Sequence, residues 1–463
     1  MRKLTRRLVP FLFLLYIVAY LDRINVGFAA LQMQQQLGLT DAVYGAGAGV
    51  FFAGYFFFQV PSNLVLQRVG ARRWIAVLMV VWGMISGSMA LAQGPRSFYA
   101  LRFLLGAAEA GFFPGMIFYL KSWFPANARA RTVARFMTAA PLSGVVGGPI
   151  SGALLGLHSS ALAGWQWMFL MEAVPAVILG VVVLAYLADS PEDVTWLADG
   201  ERGWLLETLR REQQENVPGP VEENPHPLAE NARRVGHPTE VVSSPPPAFQ
   251  SSSRRFAPEG VKQSSTFAAL RMGRIWMLAG VYFGLNTVSY GVSLWLPKMI
   301  QSLAGLTKLE IGFLSAIPYI AAAVVMVLVG LHSDRTGERR WHTALPAFAG
   351  ALALTGAAYS TSVAPSICLI SIAVLGVFSM MGPFWAMPTG FLPATAAAAG
   401  IAFINSVGNL GGFAGPWVIG LVRTSTGQFR GGLLLVSAAL GAAGMVALLI
   451  RAGKEGRELT DPA

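Results

Sequence analysis

The chain has 463 residues, of which 54% are hydrophobic and 12% charged, with a formal net charge of +11 and one cysteine. So little charge over such a length excludes a string of water-soluble domains, whose composition runs near a quarter charged. The basic surplus would suit nucleic acid in a soluble protein, but here the arginines and lysines gather beside apolar segments, where they signal orientation in a bilayer; no nucleic-acid partner is expected.

Segments of about 20 apolar residues can cross a hydrocarbon core about 30 Å thick. Six are predicted near 8–31, 43–66, 74–93, 97–120, 132–157 and 165–187. The polar stretch 188–270 follows, with Pro218, Pro220, Pro225, Pro227 and the run Pro245, Pro246, Pro247, and reads as a cytoplasmic linker. Its start, Pro191 to about Arg211, sets Trp196, Leu197, Trp204, Leu205 and Leu209 among charges, the pattern of an amphipathic helix lying on membrane or bundle. Six further segments are predicted near 272–302, 309–332, 341–361, 364–388, 393–422 and 428–451. The expected fold is therefore an all-α membrane protein, twelve transmembrane helices in two six-helix halves, 1–187 and 271–463, joined by the 188–270 linker.

Arg2, Lys3, Arg6 and Arg7 precede the first segment, Arg68, Arg72 and Arg73 follow the second, and Arg129, Arg131 and Arg135 follow the fourth. Arg335, Arg339, Arg340, Arg451, Lys454 and Arg457 continue that side, while the opposite loops hold little beyond Arg96, Lys298, Lys308, Arg423 and Arg430. Both termini are expected in the cytoplasm of a bacterial cell, with the bundle in the inner membrane. The first segment has no convincing small-residue cleavage site and reads as a retained helix. Cys368 lies in an apolar segment and reads as a small packing residue. With one cysteine and no histidine pair at metal-ligand spacing, neither metal nor cofactor is expected.

Two motifs recur at one offset. Arg68-Val69-Gly70-Ala71-Arg72-Arg73-Trp74 returns as Arg335-Thr336-Gly337-Glu338-Arg339-Arg340-Trp341, and Gly144-x-x-x-Gly148-Pro149 returns the same distance along the chain as Gly411-x-x-x-Gly415-Pro416. A single offset for unrelated motifs means a duplicated chain, and a duplicated membrane bundle forms its substrate site where the repeats meet. The glycine-proline segments let helices approach closely and bend where proline removes a hydrogen bond.

The repeated loop resembles the G-x-x-x-D-R-x-G-x-R-R pattern of the major facilitator superfamily. The second copy meets it in full with Gly330, Asp334, Arg335, Gly337, Arg339 and Arg340; in the first, Asn63 and Gln67 stand where the glycine and aspartate belong. Arg68, Gly70, Arg72 and Arg73 with Asp334, Arg335, Gly337, Arg339 and Arg340 are the candidate gating set, since a basic turn can bond the C-terminal carbonyls of a neighbouring helix and hold a gate; the missing aspartate would make the first loop the weaker latch. Tyr20-Leu21-Asp22-Arg23-Ile24-Asn25-Val26, Gly382-Pro383-Phe384-Trp385-Ala386-Met387-Pro388-Thr389 and Ala398 to Gly412 are similar to the anion:cation symporter family within that superfamily, across both halves. The resemblance implies proton-coupled uptake of a small organic anion, such as a sugar acid, tartrate or phthalate, by a chain expected to function as a monomer.

Asp22 and Arg23 lie too deep in the first segment to reach water, where charges are costly unless paired or facing a cavity. By helix rise Arg23 sits roughly 12 Å inside the outer end, between the depths of Arg102 and Glu109, which share a face seven residues apart. One reading is a structural salt-bridged triad. The other is functional, and the repeat favours it: at the repeat offset Asp22 and Arg23 correspond to Ser289 and Tyr290, so the second half lacks these charges. Arginine stays cationic and its fork matches a carboxylate, whereas Asp22 and Glu109 can change protonation. The resemblance lends the same roles: Arg23 binds substrate, Asp22 and Glu109 couple protons, and Arg102 would tune Glu109 as its partner.

Further substrate candidates are Tyr55 and Gln59, Asn286 and Tyr290 at the same i, i+4 spacing, then Trp385, Asn405 and Ser406; helix-to-helix hydrogen bonding or packing is the alternative for each. Glu172 reads as a structural partner, with a proton path as the other reading. Three functions compete: a carboxylate:proton symporter, a proton-coupled exporter of drugs or metabolites, and a transporter-shaped sensor signalling through the linker. An enzyme is not expected, because no nucleophile is assembled with a base.

Overall fold

The computed structural model describes residues 1–157, 159–215, 272–303, 305–388 and 394–450. These fold into helices joined by short turns, with no strand among the described residues. The first half contains α1 (Arg2–Gln36), α2 (Asp41–Val69), α3 (Ala71–Ser88), α4 (Pro95–Glu109), α5 (Phe112–Trp123), α6 (Ala126–Met137), α7 (Ala139–Leu154) and α8 (Gly164–Tyr186). A further helix, α9 (Asp199–Glu215), opens the linker. The second half contains α10 (Gly273–Leu303), α11 (Lys308–Thr336), α12 (Arg340–Tyr359), α13 (Val363–Ala386), α14 (Ala394–Thr426) and α15 (Arg430–Leu449).

Two predicted segments are broken, each by proline chemistry. Proline lacks the N–H that would bond the carbonyl four residues back. Pro114 thus frees Ala110, where α4 gives way to α5, and Pro141 frees Met137, where α6 gives way to α7. Eight helical stretches, taking α4 with α5 as one, are long and apolar enough to cross a membrane; α10, α12, α14 and the α6–α7 pair complete the two sets of six.

The outside of the bundle is apolar as well as its core, unlike the surface of a soluble protein. Phe57 is 64% exposed and Leu352 74%, on the outside of the bundle, whereas Arg102 and Glu109 are each 1% exposed in its interior. Apolar surface belongs outside when the solvent is lipid, so the chain is a multi-pass membrane protein. Cys368, expected to be packed, is instead exposed on α13.

The halves meet through small residues. A Cβ on Gly45 of α2 would lie 2.4 Å from the Pro416 carbonyl of α14, and one on Gly312 of α11 would lie 2.4 Å from the Gly148 carbonyl of α7. Gly45 and Gly312 stand at the repeat offset and their partners within one residue of it, so these are near-equivalent contacts, as a pseudo-twofold axis between the halves requires. A Cβ on Gly27 would lie 2.9 Å from the carbonyl of Leu294, its own repeat counterpart, which puts this pair beside the axis. Around the face carrying loops 37–40 and 305–307, Tyr44 donates to the Leu294 carbonyl (2.9 Å), the Ala42 amide to Thr424 (2.7 Å) and Lys308 to the Leu155 carbonyl (3.2 Å), joining the halves.

The linker helix packs under the first half. Leu197 and Leu205 are buried, Trp196 stacks on Trp123 with centroids 5.9 Å apart, and Lys3–Glu201 (2.7 Å) and Arg129–Glu212 (3.1 Å) tie it down. Residues 216–270, the rest of the predicted linker, lie outside the described residues.

Candidate functional site

Helix α1 runs five residues beyond its predicted end, to Gln36, which places Arg23 about 20 Å from that end by helix rise. Glu109, the last residue of α4, is about 21 Å from the start of its own helix at the same face. The two are therefore level. Arg23 Nε donates to Glu109 Oε1 at 2.6 Å, and Nη1 reaches the Tyr290 hydroxyl at 3.4 Å. The guanidinium also lies 5.2–5.7 Å from the ring centroids of Tyr20, Tyr55 and Phe51, an aromatic wall that favours a cation. Arg23 and Tyr290 are repeat counterparts, so this contact too sits on the axis, at the junction of the halves.

The two groups are only half satisfied. Arg23 Nη2 and Glu109 Oε2 are buried without a hydrogen-bond partner, although Arg23 is just 7% exposed. The open donor and acceptor leave both groups able to take a further polar partner.

Arg102 departs from its expected part. It lies two turns closer to the loop 37–40 face, donates to the Ala48 carbonyl at 3.0 Å and sits 4.9 Å from the Phe51 ring; Glu109 bonds Arg23 instead. Because α1 is longer than predicted, Arg23 lies deeper than estimated, still between Arg102 and Glu109 but level with the glutamate. Asp22, next to Arg23 in sequence, turns away into the first half, where Ser86 makes a short hydrogen bond to it and Asn25 donates at 3.2 Å. Glu172 accepts from Ser151 at 2.7 Å in the same interior.

Among the uncharged candidates, Tyr55 lines the Arg23 wall and Gln59 accepts from Ser406 across the halves at 3.0 Å. Tyr290 packs on Phe52 at 4.3 Å. Asn286 donates to the Gly408 carbonyl at 3.1 Å, a bond between α10 and α14 within the second half. Trp385 packs edge-on against Tyr282 (4.9 Å) and Phe384 (5.1 Å), and Asn405 is partly buried on α14.

A narrow cavity beside Arg23 is lined by Tyr20, Ser143, Ser289, Tyr290, Ser293 and Tyr319, among others. Sequence reasoning missed Tyr319, whose hydroxyl donates to Ser293 at 2.7 Å, and Phe52. A signal existed: Phe52 and Tyr319 are repeat counterparts, and each ring fills the space of a glycine in the opposite half, Gly412 and Gly144.

The basic loops brace each half internally. Arg72 donates through Nε to the Leu184 carbonyl at the end of α8 (3.0 Å), and Arg340 to the Leu448 carbonyl at the end of α15. Arg339 pairs with Asp334 at 2.7 Å, and Arg72 with Asp189 at 3.7 Å, so an aspartate from the linker side takes the place that Gln67 leaves empty. Gly70 (φ +89°) and Gly337 (φ +67°) make the turns, in backbone that side chains disfavour. Arg68, Arg73 and Arg335 are exposed. Partial burial opposes charge on Glu338, but the Trp341 and His342 amides and the His342 ring hold its carboxyl below the ordinary range.

Comparison with known proteins agrees with this architecture. A chain of Agrobacterium vitis named "Putative tartrate transporter" is 48% identical over 451 residues, covering 97% of this chain and 94% of that one. The "Quinolone resistance transporter" of Acinetobacter baumannii is 37% identical, covering 94% and 91%. A solved bacterial homolog of the human lysosomal transporter Spinster, in an inward-facing and occupied conformation, superposes with a TM-score of 0.71 at 14% identity over 95% of both chains, a likeness of fold. The pattern described as Major Facilitator Superfamily matches residues 12–416. This chain accordingly belongs to the Major Facilitator Superfamily and is a membrane transporter, not an enzyme.

Proposed function

We propose that the protein imports a small organic anion, a sugar acid or another carboxylate, together with protons across a bacterial inner membrane, with both termini in the cytoplasm. The observation that carries this reading is the Arg23–Glu109 pair on the axis between the halves, with one open donor on the arginine and one open acceptor on the glutamate. A substrate carboxylate and Glu109 compete for the same guanidinium. Protonating Glu109 releases Arg23 to hold the substrate through its planar fork, and loss of that proton returns Glu109 to Arg23 and expels the anion. Asp22, with its own open oxygen, is the second proton-coupling candidate.

The sign of the coupling follows from the membrane potential. One anionic charge moving into an inside-negative cell costs about 2.3 kcal/mol per 100 mV, which one proton cancels. The likeness to a tartrate transporter supports a carboxylate substrate. Sealed vesicles holding the purified chain, given labelled tartrate, sugar acids and aromatic acids, should accumulate an acid only under an inward proton gradient; accumulation of none of them sinks the reading.

Export is the second reading, favoured by the likeness to a quinolone resistance protein. It is the weaker because a hydrophobic cation is repelled by a buried guanidinium. Proton-driven efflux of a cationic dye, without uptake of any acid, would reverse the order.

A further inference from the structure

The polar cluster at the loop 37–40 face is the one place where the halves are joined by several charges among the described residues. Asp41, in the first turn of α2, accepts through one oxygen, Oδ1, from Lys298 Nζ of α10 at 2.6 Å, from Arg423 Nη1 of α14 at 3.1 Å and from Gln34 Nε2 of α1 at 3.2 Å. Lys298 also makes a short hydrogen bond to Gln34. Arg423 is supported from behind by the Phe429 ring at 4.2 Å, and its Nε is buried without a partner. Two cations thus share one carboxylate, and the carboxylate belongs to the other half.

That division has a consequence when the halves separate at this face. Neither α10 nor α14 contains an aspartate or glutamate. Between residues 272 and 450 the only acids are Glu310, Asp334 and Glu338; the last two lie in the opposite loop, and Glu310 caps α11 through Thr307. Lys298 and Arg423 therefore have no acid in this span of their own half that could replace Asp41. Nor is the cluster a duplicated prop: the repeat counterparts of Asp41, Lys298 and Arg423 are Lys308, Leu31 and Gly156.

We propose that Lys298 and Arg423 form a capture site for a carboxylate at the mouth of the transport path, which Asp41 occupies as an internal stand-in while this face is closed. The site lies about 12 Å along α10 from Tyr290, so an anion held there is two turns from Arg23. This rests on the reading of the protein as an importer of organic anions. Departure of α2 withdraws the Asp41 carboxylate and presents a paired cation to the outside, and return of α2 displaces the solute inward.

The test compares three variants, Asp41→Asn, Lys298→Gln and Arg423→Gln, in proteoliposomes, using whichever acid of the panel above the wild type carries best. Each variant weakens the same Asp41-centred cluster, Asp41→Asn both of its ion pairs and the other two one pair each, so a purely mechanical latch requires KM to move in one direction for all three. The capture site requires opposite directions. Asp41→Asn removes the competitor and lowers KM, whereas Lys298→Gln and Arg423→Gln raise it about fivefold each, the scale of one partly exposed charge pair, with kcat retained. The last two should also flatten the fall of kcat/KM with ionic strength. Lys298→Arg keeps the charge and should restore the wild-type KM, separating loss of charge from loss of folding. A common direction of change, or no change, overturns the capture site and leaves import intact; a wild type that carries no acid overturns both.

Discussion

Adding one methyl group to Gly45 tests how the halves close. The Cβ of Gly45→Ala would stand 2.4 Å from the Pro416 carbonyl, and real Cβ atoms do not approach a neighbour within 3.0 Å, so α2 and α14 must part by the difference or more. Both partners are backbone, which cannot rotate aside as a side chain does. Overpacking of this kind costs about 1–3 kcal/mol. The cost falls only on the state in which this face is sealed, so the equilibrium shifts toward the opposite state by about 5- to 150-fold. The same calculation applies to Gly312→Ala against the Gly148 carbonyl, also 2.4 Å away, because the two contacts are near-equivalent across the repeat. In a Cys368→Ala background, a cysteine at Ser293, in the narrow cavity, reports opening through its labelling rate with a membrane-impermeant thiol reagent applied from the loop 37–40 side. Both alanine variants should speed labelling within that range and by similar factors. An unchanged rate in either, with the protein correctly inserted, refutes the sealing argument; a large effect in one alone refutes the symmetry.

Arg23→Lys, which replaces a planar fork with a point charge, should weaken carboxylate binding about 10-fold or more in a direct binding measurement, the scale of one charge-assisted hydrogen bond. Glu109→Gln should keep solute exchange across the membrane while losing gradient-driven accumulation, which counterflow and uptake assays separate. Arg72→Gln, by uncapping the Leu184 carbonyl, should cost about 1 kcal/mol in unfolding, more than Asp189→Asn, which breaks only an exposed pair. Glu338 is held below its ordinary pKa of 4.5, so its charge stabilises the fold above that value and the contribution is lost as pH falls through the lower folded value; Glu338→Gln should remove this acid-side loss in thermal unfolding scans below about pH 4.5.

The helical segments were legible because apolar length is a local property, and their order followed from it. The positions of Arg23 and Tyr290 relative to the halves could also be reached from sequence, since the offset of the duplication names which residues can meet on an axis. Partner choice was harder. Whether Glu109 bonds Arg102 or Arg23 turned on how far α1 runs past its apolar stretch, and residues 32–36, Gln-rich and good helix formers, lie beyond the apolar run that set the predicted end. The role of Asp189 was hidden because Gln67 broke the local pattern and the replacement came from beyond α8. Asn286 was indistinguishable from a substrate ligand by residue type; only its distance to the Gly408 carbonyl shows a bond between neighbouring helices.

That Arg23 touches Tyr290 bears on how such a chain diverged after doubling. Away from a symmetry axis a duplicated feature comes in two separate copies, each facing its own neighbour. On the axis a residue faces its own twin, so two arginines there would repel, and two tyrosines would leave nothing to neutralise an acid. Unlike twins avoid both, so the middle of the molecule carries one guanidinium and one phenol, and on the proposed reading one anion-holding group rather than two.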